Sequence, residues 1–598
     1  MDFGCLDVLH RFVLLIIPPA NVERLFMPLD FKRCLAILWT LIAATAIQSP
    51  GLTVAQEKSA GGSSYTEMLE AGLSLEKDHR WQESIQHYEK THRKYPQYPD
   101  TQRRLQIVRI HFDVTRRYSD KSFIMTLDQT QPVVALDLLG EILNKLQSYY
   151  VEPIDFQRLL RNGTAFLEVA LTEKEFLATN VSPSVSPEAI EYFRLNVHKA
   201  VVDRPVANMA QAKALVGHVA TLARDQIGVP PTAVVYEYIA GFVGLLDPYS
   251  AYLTAGEYQE IMGQIEGNLI GLGVELWAEG NDLKIVDVFK EGPAFQSGLR
   301  KGDQLLEIDN VRVDDVGAKR AADLLRGTEN SVVRLVFRRD TPSTQTIDVR
   351  RRRVDVPSVS VVTMVDQELR TGYIRISNFQ KTTPREVDDS LRQLYGQGLK
   401  NLIIDLRRNP GGLLDASVEI ADMFISSGII VSTRGRNGQE NHNYSAHMSG
   451  TWDLPLVVMI DEDSASASEI FAGAIRDQGR GLIVGRTSYG KGSVQGVFHN
   501  DQGNGGMRLT VSKFFSPSGN AISDRGIQPN LVFEIPKAVS TRSAAKIPVS
   551  LDSTKDDLKS ESPMSESSSG LPEWNRDLEV LRAIEVVRTE LPKLANRR

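Results

Sequence analysis

Three regimes of apolar spacing divide the chain. From Tyr65 to about residue 262, apolar residues recur at the period of amphipathic helices. From Glu266 the period falls to two, as in half-buried strands. From Gly372 short uninterrupted apolar runs alternate with helical patterns, the mark of a sheet covered on both faces. The pattern predicts a multidomain α+β chain: a helical N-terminal region, a small domain of short strands, then an α/β core.

Within the helical region, Gly72, Leu75, Trp81, Ile85, Tyr88 and Pro96 place small and aromatic residues as a tetratricopeptide-like hairpin does, over 65–120. A single unit of that kind cannot bury its own face, so it needs a neighbour, and an adaptor protein would suit it. The helical region continues over 121–265. Its 133–171 stretch is regular. Ser182-Pro183, Ser186-Pro187 and Pro230-Pro231 mark 172–232 as an irregular insertion, and Asp247-Pro248 interrupts the last helical stretch, 234–262.

Residues 266–340 combine short strands with two helices, one opened by Gly292-Pro293-Ala294 and one over Ala318–Arg326 ending at Gly327. With Gly271-Leu272-Gly273-Val274 and GPAFQSGLRKGDQLLEID, this stretch resembles a PDZ domain. The resemblance implies that the amides of the Leu272, Gly273 and Val274 loop hold a peptide's C-terminal carboxylate, as successive N–H groups in a turn do for anions. Leu324 and Leu325 would complete the pocket.

The core, 353–537, opens with the strand Tyr373–Ile376 and a helix over 384–395. Leu402–Leu406, Leu456–Ile460 and Leu482–Gly485 read as buried strands, and Leu414–Phe424 and Ala467–Gln478 as helices. The 538–570 segment, rich in Ser, Lys, Asp and Glu, reads as a disordered linker. A last helix over 577–590 lies in a C-terminal segment, 571–598.

Composition then narrows the class. Of 598 residues, 42% are hydrophobic and 24% charged, which excludes collagen, wholesale disorder and a multi-span membrane protein. The 68 basic and 75 acidic residues leave a net charge of −7, so nothing draws the whole chain to nucleic acid. Arg350 to Arg353 fall at a strand end and read as a solvated edge. The two cysteines, Cys5 and Cys34, exclude a disulfide framework, a cysteine-rich zinc site and a cysteine nucleophile in the body of the chain.

Phe31-Lys32-Arg33, the apolar run Cys34–Ile47 and Thr53-Val54-Ala55 make a secretory signal: a basic flank, a short apolar stretch and a small-residue cleavage site. A second apolar stretch, Phe12–Ile17, precedes it and ends at Pro18-Pro19, so translation is expected to start at Met27. Residues 1–55 are then a cleaved signal peptide or an uncleaved inner-membrane anchor. Either places the bulk of the chain in the periplasm or cell envelope.

Candidate chemistry gathers after the strand ending at Ile460. Ser464, Ser466 and Ser468, spaced by alanines at a strand-to-helix junction, offer a hydroxyl where a helix N-terminus stabilises developing negative charge. One of the three must cap the helix. His442, His447 and His499 form no triad motif. Lys491, between Gly490 and Gly492, is the better base. A free lysine has a pKa of about 10.4, and lowering it to about 7–8 requires roughly 4 kcal/mol of differential desolvation, within reach of a closed site. Gln495 lies four residues on and could orient the amine. Gly485 to Lys491 fits the start of a phosphate-binding loop, but Gly492 stands where the magnesium-binding hydroxyl should be.

LLDPYSAYLT (245–254), the PDZ unit, LIIDLRRNPGG (402–412), SASASEIFAGAIRD (464–477), GRTSYGKGSVQ (485–495) and FFSPSGNAISDRGIQPN (514–530) stand in one order over about half the chain. Residues 234–536 thereby resemble the carboxyl-terminal processing proteases, the tail-specific serine peptidases of family S41, with a crotonase/ClpP-like core. The resemblance implies a serine endopeptidase with Ser466 as nucleophile, Lys491 as general base and Gln495 as the orienting glutamine. It assigns the oxyanion hole to the amides of Ala467 and of Gly411 or Gly412, with Gly412 favoured. Proteins with apolar C-termini are the implied substrates, and no metal or organic cofactor is implied. The competing reading is an inactive peptide-binding scaffold of the envelope.

Overall fold

The computed structural model describes residues 60–533 apart from 203, 448–450 and 524, together with 546–547, 575 and 577–591. The expected signal segment lies outside the described residues, as does the expected 538–570 linker except for 546–547.

The first described helices are Ala60–Lys77, Trp81–Lys94 and Pro99–Ser119. Trp81, Tyr88, Leu105 and Val108 form their buried cluster. The helical region that follows differs from the expectation at 172–232. That stretch is helical, over Lys174–Asn180, Pro187–Val202 and Met209–Ile227, and contributes Phe193, Val197, Val216 and Val219 to the N-terminal core. Its prolines punctuate helices rather than abolish them. Pro187 opens one, where a missing N–H costs nothing, and Asn208 caps the next by accepting from the Gln211 amide. Helices Phe156–Ala170 and Pro231–Gly244 approach closely at Gly163 and Gly241, where a methyl group on Gly241 would lie 2.7 Å from the Gly163 Cα.

A two-stranded ribbon, Asn268–Gly271 paired with Arg352–Asp355, leads the chain into and out of the small domain. There the antiparallel strands Val274–Glu279, Asp282–Val288, Gln304–Ile308, Val332–Arg338 and Thr344–Arg350 enclose their own core. Arg351 corrects the reading of the arginine run. It is buried, and its guanidinium donates to the carbonyls of Leu324 and Leu325, fixing the end of a helix.

The core sheet has six strands, β1 (Val359–Asp366), β2 (Thr371–Ile376), β3 (Asn401–Asp405), β4 (Leu456–Ile460), β5 (Leu482–Gly485) and β6 (Leu531–Val532), in that order. β1 is antiparallel to β2, and the rest are parallel. Alternation decides what each face meets. Leu402, Ile404, Val458 and Ile483 pack against α1 (Thr383–Gly396), α2 (Leu414–Asp422) and α3 (Ala467–Asp477). Ile403, Val457, Met459 and Val484 face the other way, against Val580, Ala583 and Val587 of α4 (Leu578–Thr589). A second sheet, centred on the strand Gly506–Phe515, joins the core to the N-terminal helices, whose cluster includes Met507 and Leu509.

Candidate active site

The loops at the carboxyl ends of β3, β4 and β5 converge, as ligand-binding loops of parallel sheets do. The β4 loop carries the three serines, and their partners separate them. Ser464 is buried, its hydroxyl donating to the Leu406 carbonyl at 2.8 Å and accepting from the Asp461 amide at 3.0 Å. Ser468 is buried and donates to the Asn409 carbonyl at 2.9 Å. Both brace the loop. Ser466 is half-buried at the N-terminus of α3, with φ 55° and ψ −114°. A non-glycine residue held in that region stores strain, which active sites tolerate and ordinary turns avoid.

The β3 loop supplies the turn Asn409-Pro410-Gly411-Gly412. The Asn409 carbonyl accepts from the Ala465 amide at 3.0 Å, so the turn is tied to the serine loop. The Gly411 amide is committed to Asn409 Oδ1 at 2.8 Å. Among the described residues the amides of Gly412 and Ala467 have no acceptor. Two open donors beside Ser466 are what an oxyanion hole requires. Gly411 is needed for a close approach: its φ is 108°, and a methyl group there would lie 2.8 Å from Ser466 Cβ and 2.7 Å from the Ala465 carbonyl. Gly411→Ala is expected to lower kcat about 10²-fold by displacing the hydroxyl and a donor together. Steady-state kinetics would check it, and a rate within threefold of the parent would count against the placement.

The β5 loop brings Lys491. Its ammonium lies 4.9 Å from the ring centre of Tyr249, a cation–π contact. Tyr249 belongs to the DPYS segment, stitched to the second sheet: Arg508 Nε donates to its carbonyl and Thr510 Oγ1 to Asp247 Oδ1. Gln495, half-buried on the next strand, donates to Ser493 Oγ at 2.9 Å.

Glu469, which sequence reasoning passed over, joins the Ser466 and Lys491 loops. It is fully buried. Its Oε2 accepts from the Ser466 amide at 2.8 Å and from the Lys491 amide at 2.9 Å, and its Oε1 from Ser488 Oγ and the Gly490 amide, both at 2.6 Å. One carboxylate oxygen thus sits within hydrogen-bond reach of both backbones. Burial pushes the Glu469 carboxyl up, and the four donors pull against it.

In the small domain, Gly273 has φ 74°, and Leu272 is buried in the domain core while Val274 packs at its edge. The amide of Ala294 donates to the Leu272 carbonyl, and that of Phe289 to the Gly273 carbonyl.

Residues 370–533 match peptidase family S41 and residues 284–339 match a PDZ domain. A carboxy-terminal-processing protease of Bartonella bacilliformis is 34% identical over 306 residues, 50% of this chain and 69% of that protein. This chain belongs to the carboxyl-terminal-processing proteases of peptidase family S41. A second such protease, from a Picosynechococcus species, is 35% identical over 303 residues, 50% of this chain and 72% of that protein. Among solved structures, the photosystem II D1 C-terminal processing protease is similar at 25% identity and a TM-score of 0.36, over 67% of this chain and 93% of its own. This member of the family is a serine-type peptidase with a helical N-terminal region, a PDZ domain and a sheet-and-helix protease core.

Proposed function

We propose that Ser466 and Lys491 form the dyad of a tail-specific endopeptidase. The observation that carries this reading is the Glu469 carboxylate, which binds the Ser466 and Lys491 amides through one oxygen beside a strained serine. Neutral Lys491 takes the Ser466 proton as Oγ attacks the scissile carbonyl carbon. The carbonyl oxygen, now anionic, is held by the amides of Gly412 and Ala467. Lys491 then protonates the departing amine, the C–N bond breaks, and an ester on Ser466 remains. Water attacks that ester as Lys491 takes its proton, and Lys491 passes the proton to the departing Ser466 Oγ, so the acid product leaves with the Ser466 hydroxyl and neutral Lys491 both restored. Gln495, bonded to Ser493 on the same strand, is assigned the role of orienting the lysine amine by hydrogen bonding.

Substrates are proteins with apolar C-termini, captured by the PDZ domain. The loop of Leu272, Gly273 and Val274 receives the terminal carboxylate, and the tail adds a strand beside Val274–Glu279. That edge accepts strands: Ile547 and Lys546 of this chain pair antiparallel with Leu276 and Trp277. The mature protein works in the periplasm or cell envelope, a reading supported by the basic flank, apolar run and small-residue site near the N-terminus and by the absence of cysteine beyond Cys34. Residues 65–120 are assigned to adaptor docking on the strength of their repeat-like spacing.

The test is an unfolded reporter with an apolar tail, compared with the same reporter amidated at its C-terminus. Amidation is expected to raise KM at least tenfold with kcat retained, because the carboxylate is lost while the scissile bond is unchanged. Equal KM values for the two would reject capture by the tail.

A further inference from the structure

The helix α4 is separated from the rest of the core by more than forty residues of sequence, yet with its cap it meets the arginines behind two of the active-site loops, the oxyanion turn and the lysine loop. Arg407 stands two residues before Asn409 of the oxyanion turn, and its guanidinium forks onto buried Asp405 of β3. Arg486 opens the lysine loop. Its amide donates to the Ile460 carbonyl, and its side chain pairs with Glu462 of the serine loop. Neither arginine is completed within the core. Arg407 Nη2 donates to Asp577 Oδ2 at 2.7 Å and Arg407 Nη1 to Glu579 Oε2 at 2.6 Å, while Arg486 Nη1 donates to Glu579 Oε1. One carboxylate from the C-terminal segment therefore bridges the oxyanion loop and the base loop. The site is largely dry: the Arg407 side chain is 10% exposed and that of Glu579 20%.

These contacts hold groups whose mutual position matters. Arg407 is followed by Arg408, at φ 61°, whose amide donates to Asp461 Oδ1. The turn between Arg407 and Gly412 is short, so a shift of the Arg407 backbone passes directly to the oxyanion donor. The lysine loop likewise runs only five residues from Arg486 to Lys491. Nucleophile and base are already tied through Glu469 from the α3 side. The opposite face has no described helix but α4, and there Glu579 supplies the tie between oxyanion turn and base. A charge-assisted fork on a planar guanidinium fixes direction as well as distance.

We propose that Glu579 is a positioning residue of catalysis, and α4 a structural part of the active site rather than only a cover for the sheet. This rests on the assignment of Ser466, Lys491 and Gly412 above. Asp577 contributes too, but its Oδ1 also caps α4 by accepting from the Glu579 and Val580 amides, so changing it would fray the helix. Glu579 has no capping duty, which makes Glu579→Gln the informative variant. The control is Arg588→Gln, which removes the exposed ion pair with Asp366 at the far end of the same helix.

The experiment measures kcat, KM and melting temperature of the full chain, with a tail-bearing peptide as substrate. Glu579→Gln is expected to lower kcat at least tenfold at unchanged KM and nearly unchanged melting temperature, with Glu579→Asp recovering part of the loss. Arg588→Gln is expected to keep the parent kcat. An unchanged kcat in Glu579→Gln would overturn the proposal. So would a loss that tracks the melting temperature or appears equally in Arg588→Gln. Ser466→Ala run alongside separates the two levels: residual cleavage there would refute the dyad, whereas its inactivity with a fully active Glu579→Gln refutes only the positioning role.

Discussion

Ser466→Ala is expected to abolish cleavage, with kcat lowered at least about 10⁴-fold, while the variant folds and still binds a tail-bearing peptide. The size follows from the loss of a covalent route, not of a single contact: removing a nucleophile or its base typically leaves only what binding and the oxyanion donors supply. The fold should tolerate the change, because Ser464 and Ser468 make the bonds that brace the loop. Alanine at φ 55° inherits the backbone strain without adding to it. Lys491→Ala should be as damaging. Lys491→Arg is the sharper variant, since arginine keeps the charge and most of the length but cannot give up its proton near neutral pH. A base must deprotonate, so Lys491→Arg should be as inactive as the alanine variant. Mass spectrometry of the reporter at saturating enzyme would detect residual product. Substantial turnover by Lys491→Arg would recast the lysine as a fixed cation and remove the dyad.

How far the sequence foretold this site depends on whether each residue acts through local or distant neighbours. Apolar runs such as Leu402–Leu406 and Leu456–Ile460 announce buried strands because both faces of those strands are covered, and β3 and β4 follow them. Ser466 was distinguishable from Ser464 and Ser468 only through family resemblance. The physical difference lies in what the flanking hydroxyls bind, Leu406 and Asn409, which come from a loop more than fifty residues earlier. The choice between Gly411 and Gly412 was open for the same reason, since the Gly411 amide is taken by a side-chain oxygen two residues back. At 172–232 the Ser-Pro pairs predict breaks, although Pro187 sits where helices favour proline. A run of four arginines predicts a solvated edge and gives no sign that the second, Arg351, turns inward to carbonyls at the end of a helix. Tyr249 and Glu579 lie some 240 residues before and 90 residues after the lysine loop, and only the fold brings them to it, as it brings Asp577 to Arg407. Glu469 had a local signal: a glutamate three residues after a helix-capping serine is the second half of a capping box.

That glutamate carries the other large prediction. Its four donors are the Ser466, Gly490 and Lys491 amides and the Ser488 hydroxyl. Glu469→Ala would strand the buried Gly490 amide, at about 1–3 kcal/mol, free the part-buried Ser466 and Lys491 amides and leave a cavity, so a loss of at least about 3 kcal/mol of stability is expected. Glu469→Gln is nearly isosteric and more telling. Only one of its two terminal atoms can accept, so either the Ser466–Lys491 pair of amides or the Ser488–Gly490 pair must face an NH₂ group. The first arrangement pushes Ser466 and Lys491 apart; the second releases the loop that carries Lys491. Either should cost kcat at least about 10²-fold, a misplacement of the order of 1 Å being sufficient for that. The wild-type profile should carry the same signature. Protonating this carboxyl puts a donor where acceptors are needed, and because burial pushes the group up, activity should fall on the acid side at a pH above the ordinary carboxylate range. Kinetics of Glu469→Gln against pH, with melting temperature measured in parallel, would decide the matter. A folded Glu469→Gln enzyme within tenfold of the parent kcat would mean that Ser466 and Lys491 keep their alignment without the shared oxygen, and the site would then have to be held together by the serine loop and the α4 network alone.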